Sequence, residues 1–233
     1  MTAIWRRELQ AYFHTAVGYV AMGVFLALSS VFFFLEILQQ RSSDLLTFIS
    51  LMSYLWMLLC PILTMRLLAE ERQKHTDQLL LTSPVSLVSL VVGKYLAAVT
   101  VLAATVLLTG VYYLVVAVYG AVYPGELLTG LTGFFLQGCA FAAVDLLVSG
   151  MSRSAVSAAV AALGVNFALW MMDLLADTVP VWLGSVLSFL SLYSRNEPFL
   201  MGQFSFASVL YDLSVAVLAL ACAVYVLDRR RRA

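Results

Sequence analysis

The stretch Phe48-Ile49-Ser50-Leu51-Met52-Ser53-Tyr54-Leu55-Trp56-Met57-Leu58-Leu59-Cys60-Pro61-Ile62-Leu63-Thr64-Met65 contains no charge. A few residues later comes Glu70-Glu71-Arg72-Gln73-Lys74-His75-Thr76-Asp77-Gln78-Leu79-Leu80-Leu81-Thr82-Ser83-Pro84-Val85. The first run is long enough for a helix to cross hydrocarbon, which takes about 20 apolar residues. The second gathers six charged or histidine residues into one polar island. Beyond it the chain turns apolar again from Val88, so the island joins two membrane spans.

The same pattern repeats along the 233 residues, which are 63% hydrophobic and 11% charged. Soluble domains run near 45–50% and 25%, so this chain cannot cover itself with polar surface in water. Six spans are expected at 16–38, 48–65, 88–118, 127–148, 154–175 and 206–227. The third run is longer than a bilayer needs. Lys94 is therefore expected to snorkel to the headgroups and leave Tyr95 to Val118 to span. Tyr112, Tyr113, Tyr119 and Tyr123 would then mark the far interface. Pro61 is expected to kink the second span. The first apolar run is too long for a cleavable signal and has no small-residue cleavage site behind it.

Orientation follows from Lys and Arg. With both ends inside, the inner loops hold Arg6, Arg7, Arg66, Arg72, Lys74, Lys94, Arg153 and Arg229 to Arg232, and the outer loops hold Arg41 and Arg195. This asymmetry is the positive-inside pattern, although the net charge is zero. Thr2 to His14 reads as an amphipathic surface helix with Ile4, Trp5, Leu9, Tyr12 and Phe13 on one face and Arg6, Arg7, Glu8 and Gln10 on the other. The arginine tail anchors the last helix at an anionic leaflet and is too short for a nucleic-acid site. Ala176 to Ser205 is too apolar for a solvated loop, and its greasy pieces are too short to span, so it is expected to form re-entrant or interfacial helices. The fold class is thus an all-α integral membrane protein, read as one domain.

Catalytic patterns are mostly absent. His14 and His75 lie in different segments, so no zinc motif forms. Gly93-Lys94 lacks the upstream glycine and following hydroxyl of a phosphate loop. Cys60, Cys139 and Cys222 sit singly in apolar runs and read as core residues. Asp145 and Asp212 lie within spans, where a charge costs about 2.5–3.5 kcal/mol on insertion scales. Each must face protein or water, as an interhelix contact or along a translocation path. Tyr211-Asp212 fits half of the intramembrane aspartyl protease pattern, but Asp145 follows Phe141-Ala142-Ala143-Val144 instead of a Gly-x-Gly, so that chemistry is set aside. In the fifth span Ser154, Ser157, Ala158, Ala161, Ala162 and Gly164 allow close helix packing, and Asn166 suits an interhelix hydrogen bond.

Within the island, Glu70 and Lys74 form an i,i+4 pair in its favourable direction, and Glu71 and His75 share that spacing. Both support a helix continuing the second span. Pro84 pushes Ser83 off helical geometry. Between them Leu79 and Leu80 are placed to enter a groove on a soluble partner.

These residues resemble the permease subunits of ABC-2-type exporters, especially the gliding-motility-associated branch. Three stretches carry the likeness. The first is Glu70-Glu71-Arg72, Thr76-Asp77-Gln78-Leu79-Leu80, Ser83-Pro84-Val85 and Val91-Val92-Gly93-Lys94. The second is Leu190-Ser191-Leu192-Tyr193 through Glu197-Pro198-Phe199 and Gly202, and the third runs from Tyr211 to the terminal arginines. Lys74-His75 departs from the glycine the family often places before the threonine. The resemblance implies a bacterial plasma-membrane permease, homo- or heterodimeric, seated on cytoplasmic ABC ATPases, with a possible extracytoplasmic subunit. It implies that 70–85 is the coupling loop, with Glu70, Glu71, Arg72, Lys74, Thr76, Asp77, Leu79, Leu80, Pro84 and Lys94 serving ATPase coupling. No cofactor is expected on this chain; ATP and Mg²⁺ would be bound by the ATPase. Two alternatives remain open: an ATPase-linked subunit that transmits force through the outer segment without moving cargo, and a proton-coupled secondary transporter using Asp145 or Asp212.

Overall fold

A computed structural model describes residues 2–74, 86–120, 123–176 and 178–232. In hydrocarbon a backbone must satisfy its own polar groups, so each apolar run folds as a helix. The surface helix α1 covers Thr2–His14. Helix α2 (Ala16–Phe33) runs on through a π-helical segment, Phe34–Gln39. Helix α3 begins as Leu45–Met65, passes through a π-helical turn at Arg66–Glu70 and ends with Glu71–Gln73. Then come α4 (Leu87–Tyr119), α5 (Pro124–Met151) and α6 (Ala155–Ala176). Two short helices, α7 (Val181–Leu190) and α8 (Leu192–Leu200), precede α9 (Phe206–Arg232). Six of these helices, α2 to α6 and α9, are long and apolar enough to cross a membrane.

Local chemistry sets several of the ends. Asp44 caps α3 by accepting from the Leu46 and Thr47 amides, an Asp cap with a Thr at its third position. Ser86 does the same for α4 through the Ser89 amide, and Pro124 opens α5, where its missing N–H is harmless. The second span is longer than its apolar run, because the helix carries the island's first residues with it to Gln73.

Helix α5 is the hub, packing against α3, α4, α6, α8 and α9. Its small residues permit this. A Cβ on Gly133 would lie 2.5 Å from the Phe199 Cβ on α8, and one on Gly138 would lie 2.7 Å from Leu102 Cδ2 on α4. Phe25, Phe48, Met52, Trp56, Leu102, Phe134 and Leu146 fill the centre. Helices α6 and α9 contribute thinner buried faces: Ala158, Ala162 and Asn166 turn inward, whereas Ser157, Ala161 and Gly164 are exposed.

The four tyrosines differ in their surroundings. Tyr119 and Tyr123 are exposed, but Tyr113 is buried. Tyr112 stacks on Phe33 at 5.0 Å, and its hydroxyl meets Ser30 Oγ at 2.7 Å and the Leu26 carbonyl at 3.0 Å. Positions 112, 113 and 116 lie on the face of α4 turned towards its neighbours, so two of the four rings pack between spans.

Candidate coupling site

The island begins where the π-helical turn breaks the backbone ladder of α3. A regular helix would bond the Ala69 amide to the Met65 carbonyl. Here Ser149 Oγ of α5 stands between them, accepting from the Ala69 N–H at 3.1 Å and donating to Met65 O at 3.2 Å. A side chain inserted into the ladder is a recognised cause of such a bulge. It also ties the end of α3 to α5.

The next residues extend that tie. Glu70 accepts from Arg66 Nε and Lys74 Nζ, both at 2.7 Å and both one turn away. Arg72 Nη1 donates to the Ser152 carbonyl at 2.9 Å, just past the end of α5. Gln73 Oε1 accepts from the Ala155 amide at 3.1 Å, at the start of α6. Terminal helix carbonyls and amides lack intrahelical partners, and Arg72 and Gln73 meet one of each.

Glu71 points the other way. Its Oε1 lies 2.7 Å from Lys94 Nζ on α4 and 3.1 Å from Arg7 Nη2 on α1. Glu8 Oε1 completes the knot, 3.1 Å from Lys94 and 2.6 Å from Arg7. The Lys94 side chain is fully buried. Two sequence expectations fall here. Lys94 does not snorkel, because two carboxylates supply the charge and hydrogen bonds that headgroups would otherwise provide. Glu8 does not belong with the exposed face of α1; it sits one turn from both Ile4 and Tyr12 and shares their inward stripe. Burial pushes the Glu8 carboxyl up, but the Lys94 ammonium and the Arg7 guanidinium outweigh it and hold the group below its ordinary range.

Helix α1 is held along its length. Trp5 Nε1 donates to Thr100 Oγ1 at 3.0 Å, the Tyr12 hydroxyl to the Leu63 carbonyl at 2.7 Å, and Arg66 Nη1 to Thr15 Oγ1 at 3.0 Å. Beside the knot opens a cleft of about 290 Å³ lined by Arg7, Glu8, Tyr12, Arg66, Glu70 and Lys74. Thus Glu70, Glu71, Arg72, Lys74 and Lys94 meet around one helix end. Thr76, Asp77, Leu79, Leu80 and Pro84, with the Glu71–His75 pairing, lie outside the described residues.

The intramembrane polar residues are not brought into one site. Pro61 has no N–H, which leaves the Met57 carbonyl without its helical partner. Asn166 Nδ2 of α6 donates to that carbonyl at 3.3 Å. Asp145 is fully buried beside Cys60 and Asn166. Asp212, 2% exposed, is on α9 near Cys139 of α5. The Asp212 carboxyl has no hydrogen-bond partner among the described residues, and among them no three metal-ligating side chains gather. Sequence reading passed over Gln137 and Asn196, buried and joined at 2.8 Å between α5 and α8; polar residues within apolar runs were the available signal.

Residues 24–230 match the family model described as ABC-2 family transporter protein. No curated protein matches the chain.

Proposed function

The chain belongs to the ABC-2 transporter family as a membrane-spanning permease subunit, and we propose that an ATPase drives it through the segment 70–85. The family's membrane subunit is distinct from the ATPase and generally works with one. In this reading ATP and Mg²⁺ stay on that partner, and Leu79 and Leu80 seat in its groove. The Lys and Arg asymmetry supports termini and coupling segment on the cytoplasmic side of a bacterial plasma membrane. The finer likeness of the three stretches supports an exporter of the gliding-motility-associated branch, acting as one domain in a dimer of permeases.

The observation that carries the proposal is the buried Lys94 ammonium holding Glu71 and Glu8 together. Segment 75–85 leaves α3 directly after this knot and enters α4 shortly before it. A displacement applied to the segment therefore reaches α3, α4 and α1 through one charged joint. It reaches α5 and α6 through Arg72 and Gln73. Five elements then move as a body, which is what rocking one permease against another requires. The nucleotide must favour one arrangement over the other, since contacts equal in both would shift nothing.

The test is the double substitution Leu79→Asp, Leu80→Asp, scored against the ABC ATPase that co-purifies with the unsubstituted chain. The expected result is loss of co-purification and of ATP-dependent transport, with unchanged membrane insertion. Normal transport in that variant would overturn the proposal.

A further inference from the structure

At the end of the bundle away from the ion knot, α7, α8 and α9 meet around Arg195. Its guanidinium carbon lies 4.7 Å from the centroid of Phe189 on α7 and 5.6 Å from that of Tyr211 on α9. Both distances are within cation–π range. Rings hold the flat faces of a guanidinium but cannot accept its in-plane N–H groups, of which there are five. Among the described residues no carboxylate pairs with Arg195. Glu197 and Asp212 form no ion pair with it, and the Tyr211 hydroxyl is turned to the Leu190 carbonyl at 2.9 Å. Nε is sealed from solvent with no partner, which leaves the two terminal nitrogens as the open edge.

A guanidinium fixed by its faces and unfilled at its edge is suited to an anion with two adjacent oxygens. Carboxylate and phosphate both qualify. The surroundings select between them. Trp182, Phe189 and Leu190 beside the junction, and Phe206 and Leu210 on α9, are exposed large apolar side chains. Phe189 lies against Arg195, and Phe206 and Leu210 precede Tyr211 in the opening turns of α9, the start of a membrane span, where acyl chains meet headgroups. The abundant anion at that depth is the phosphate diester of a phospholipid.

We propose that Arg195 is the headgroup contact of a specifically bound phospholipid, its phosphate on the terminal nitrogens and its chains against α7 and α9. The site needs no ATPase and is independent of the coupling proposal. It would fasten α7 and α8 to the far leaflet, so that these two short helices keep their depth while the spans move.

Purified full-length protein is delipidated in mild detergent, titrated with phosphatidylglycerol, and read by native mass spectrometry. One tightly retained lipid is expected on the wild type. Affinity should fall at least about tenfold in Arg195→Gln, the size of a lost charge-assisted bidentate contact, and by less in Arg195→Lys, which keeps the charge without the fork. Diacylglycerol, with the same tails and no phosphate, should not be retained. Equal retention of phosphatidylglycerol by wild type and Arg195→Gln would overturn the proposal. So would displacement of the lipid by millimolar inorganic phosphate, which would make the site one for free anions. Thermal unfolding in lipid-free detergent separates a misfolded variant from one that has lost only its ligand. If Arg195→Gln unfolds early, the Lys variant decides: lipid affinity equal to wild type would refute the bidentate contact.

Discussion

Replacing Lys94 by Met removes the one fully buried member of the ion knot and leaves Glu8 and Glu71 facing each other. Breaking a buried pair from one side costs about 3–5 kcal/mol, because the remaining charge stays dry and unpaired. Two features pull the figure to the low end. The Glu8 and Glu71 side chains keep 12% and 19% of their exposure. Arg7, 52% exposed, still lies 2.6 and 3.1 Å from them. A loss of about 3 kcal/mol, at about 1.4 kcal/mol per factor of ten, makes local detachment of α1 roughly a hundredfold more frequent. Amide hydrogen exchange of the purified protein reads this directly. Protection over Thr2–His14 should fall by that factor while the centre of α5 stays protected. Adding Glu8→Gln and Glu71→Gln to Lys94→Met should restore much of the protection, since no carboxylate is then stranded and the one remaining charge, Arg7, is half in water. Unchanged exchange of α1 in Lys94→Met, or a triple variant exchanging as fast as the single one, would refute the argument that this ammonium fastens the surface helix.

Three further outcomes follow from the same geometry. The Glu8 carboxyl sits below its ordinary value of 4.5, so its contribution is complete above that value and disappears as pH falls through the lower folded-state value. Protection of α1 should therefore hold at neutral pH and decline below about pH 4.5, with that limb shrinking in Glu8→Gln; identical pH profiles would exclude Glu8. Asn166→Leu strands the Met57 carbonyl that Pro61 leaves open and should lower stability in detergent by about 0.6–1.7 kcal/mol. Pro61→Ala restores the backbone donor, so a double-mutant cycle should show that the second substitution softens the first. Gly133→Ala forces a Cβ against Phe199 and Asn196 Oδ1 and should cost about 1–3 kcal/mol, with faster exchange across Leu192–Leu200; an unaltered α8 would mean that the contact relaxes freely.

The mid-regions of all six spans were legible from hydropathy alone, because leaving water is a property of each segment taken by itself. The two short helices between the fifth and sixth spans were legible for the same reason: Val181 to Leu190 is too greasy for water and too short to cross. The Glu70–Lys74 pair was equally visible, since both partners lie on one helix. Span ends were less clear. Helix α3 outruns its apolar stretch by carrying Glu70, Glu71 and Arg72, and the last two are met from outside the helix.

What the sequence by itself determined is therefore the set of segments that must become membrane helices and the place where charge interrupts them. Tertiary structure alone decided the partners. Glu8 and Lys94 are 86 positions apart, Asn166 and Met57 are 109 apart, and Ser149 enters the α3 ladder from 80 positions away. Hydrophobicity and helical period are local, so they can be read in order along the chain. A buried charge or an open carbonyl is satisfied by whichever group folding brings within about 3 Å, and local pattern carries no record of that group.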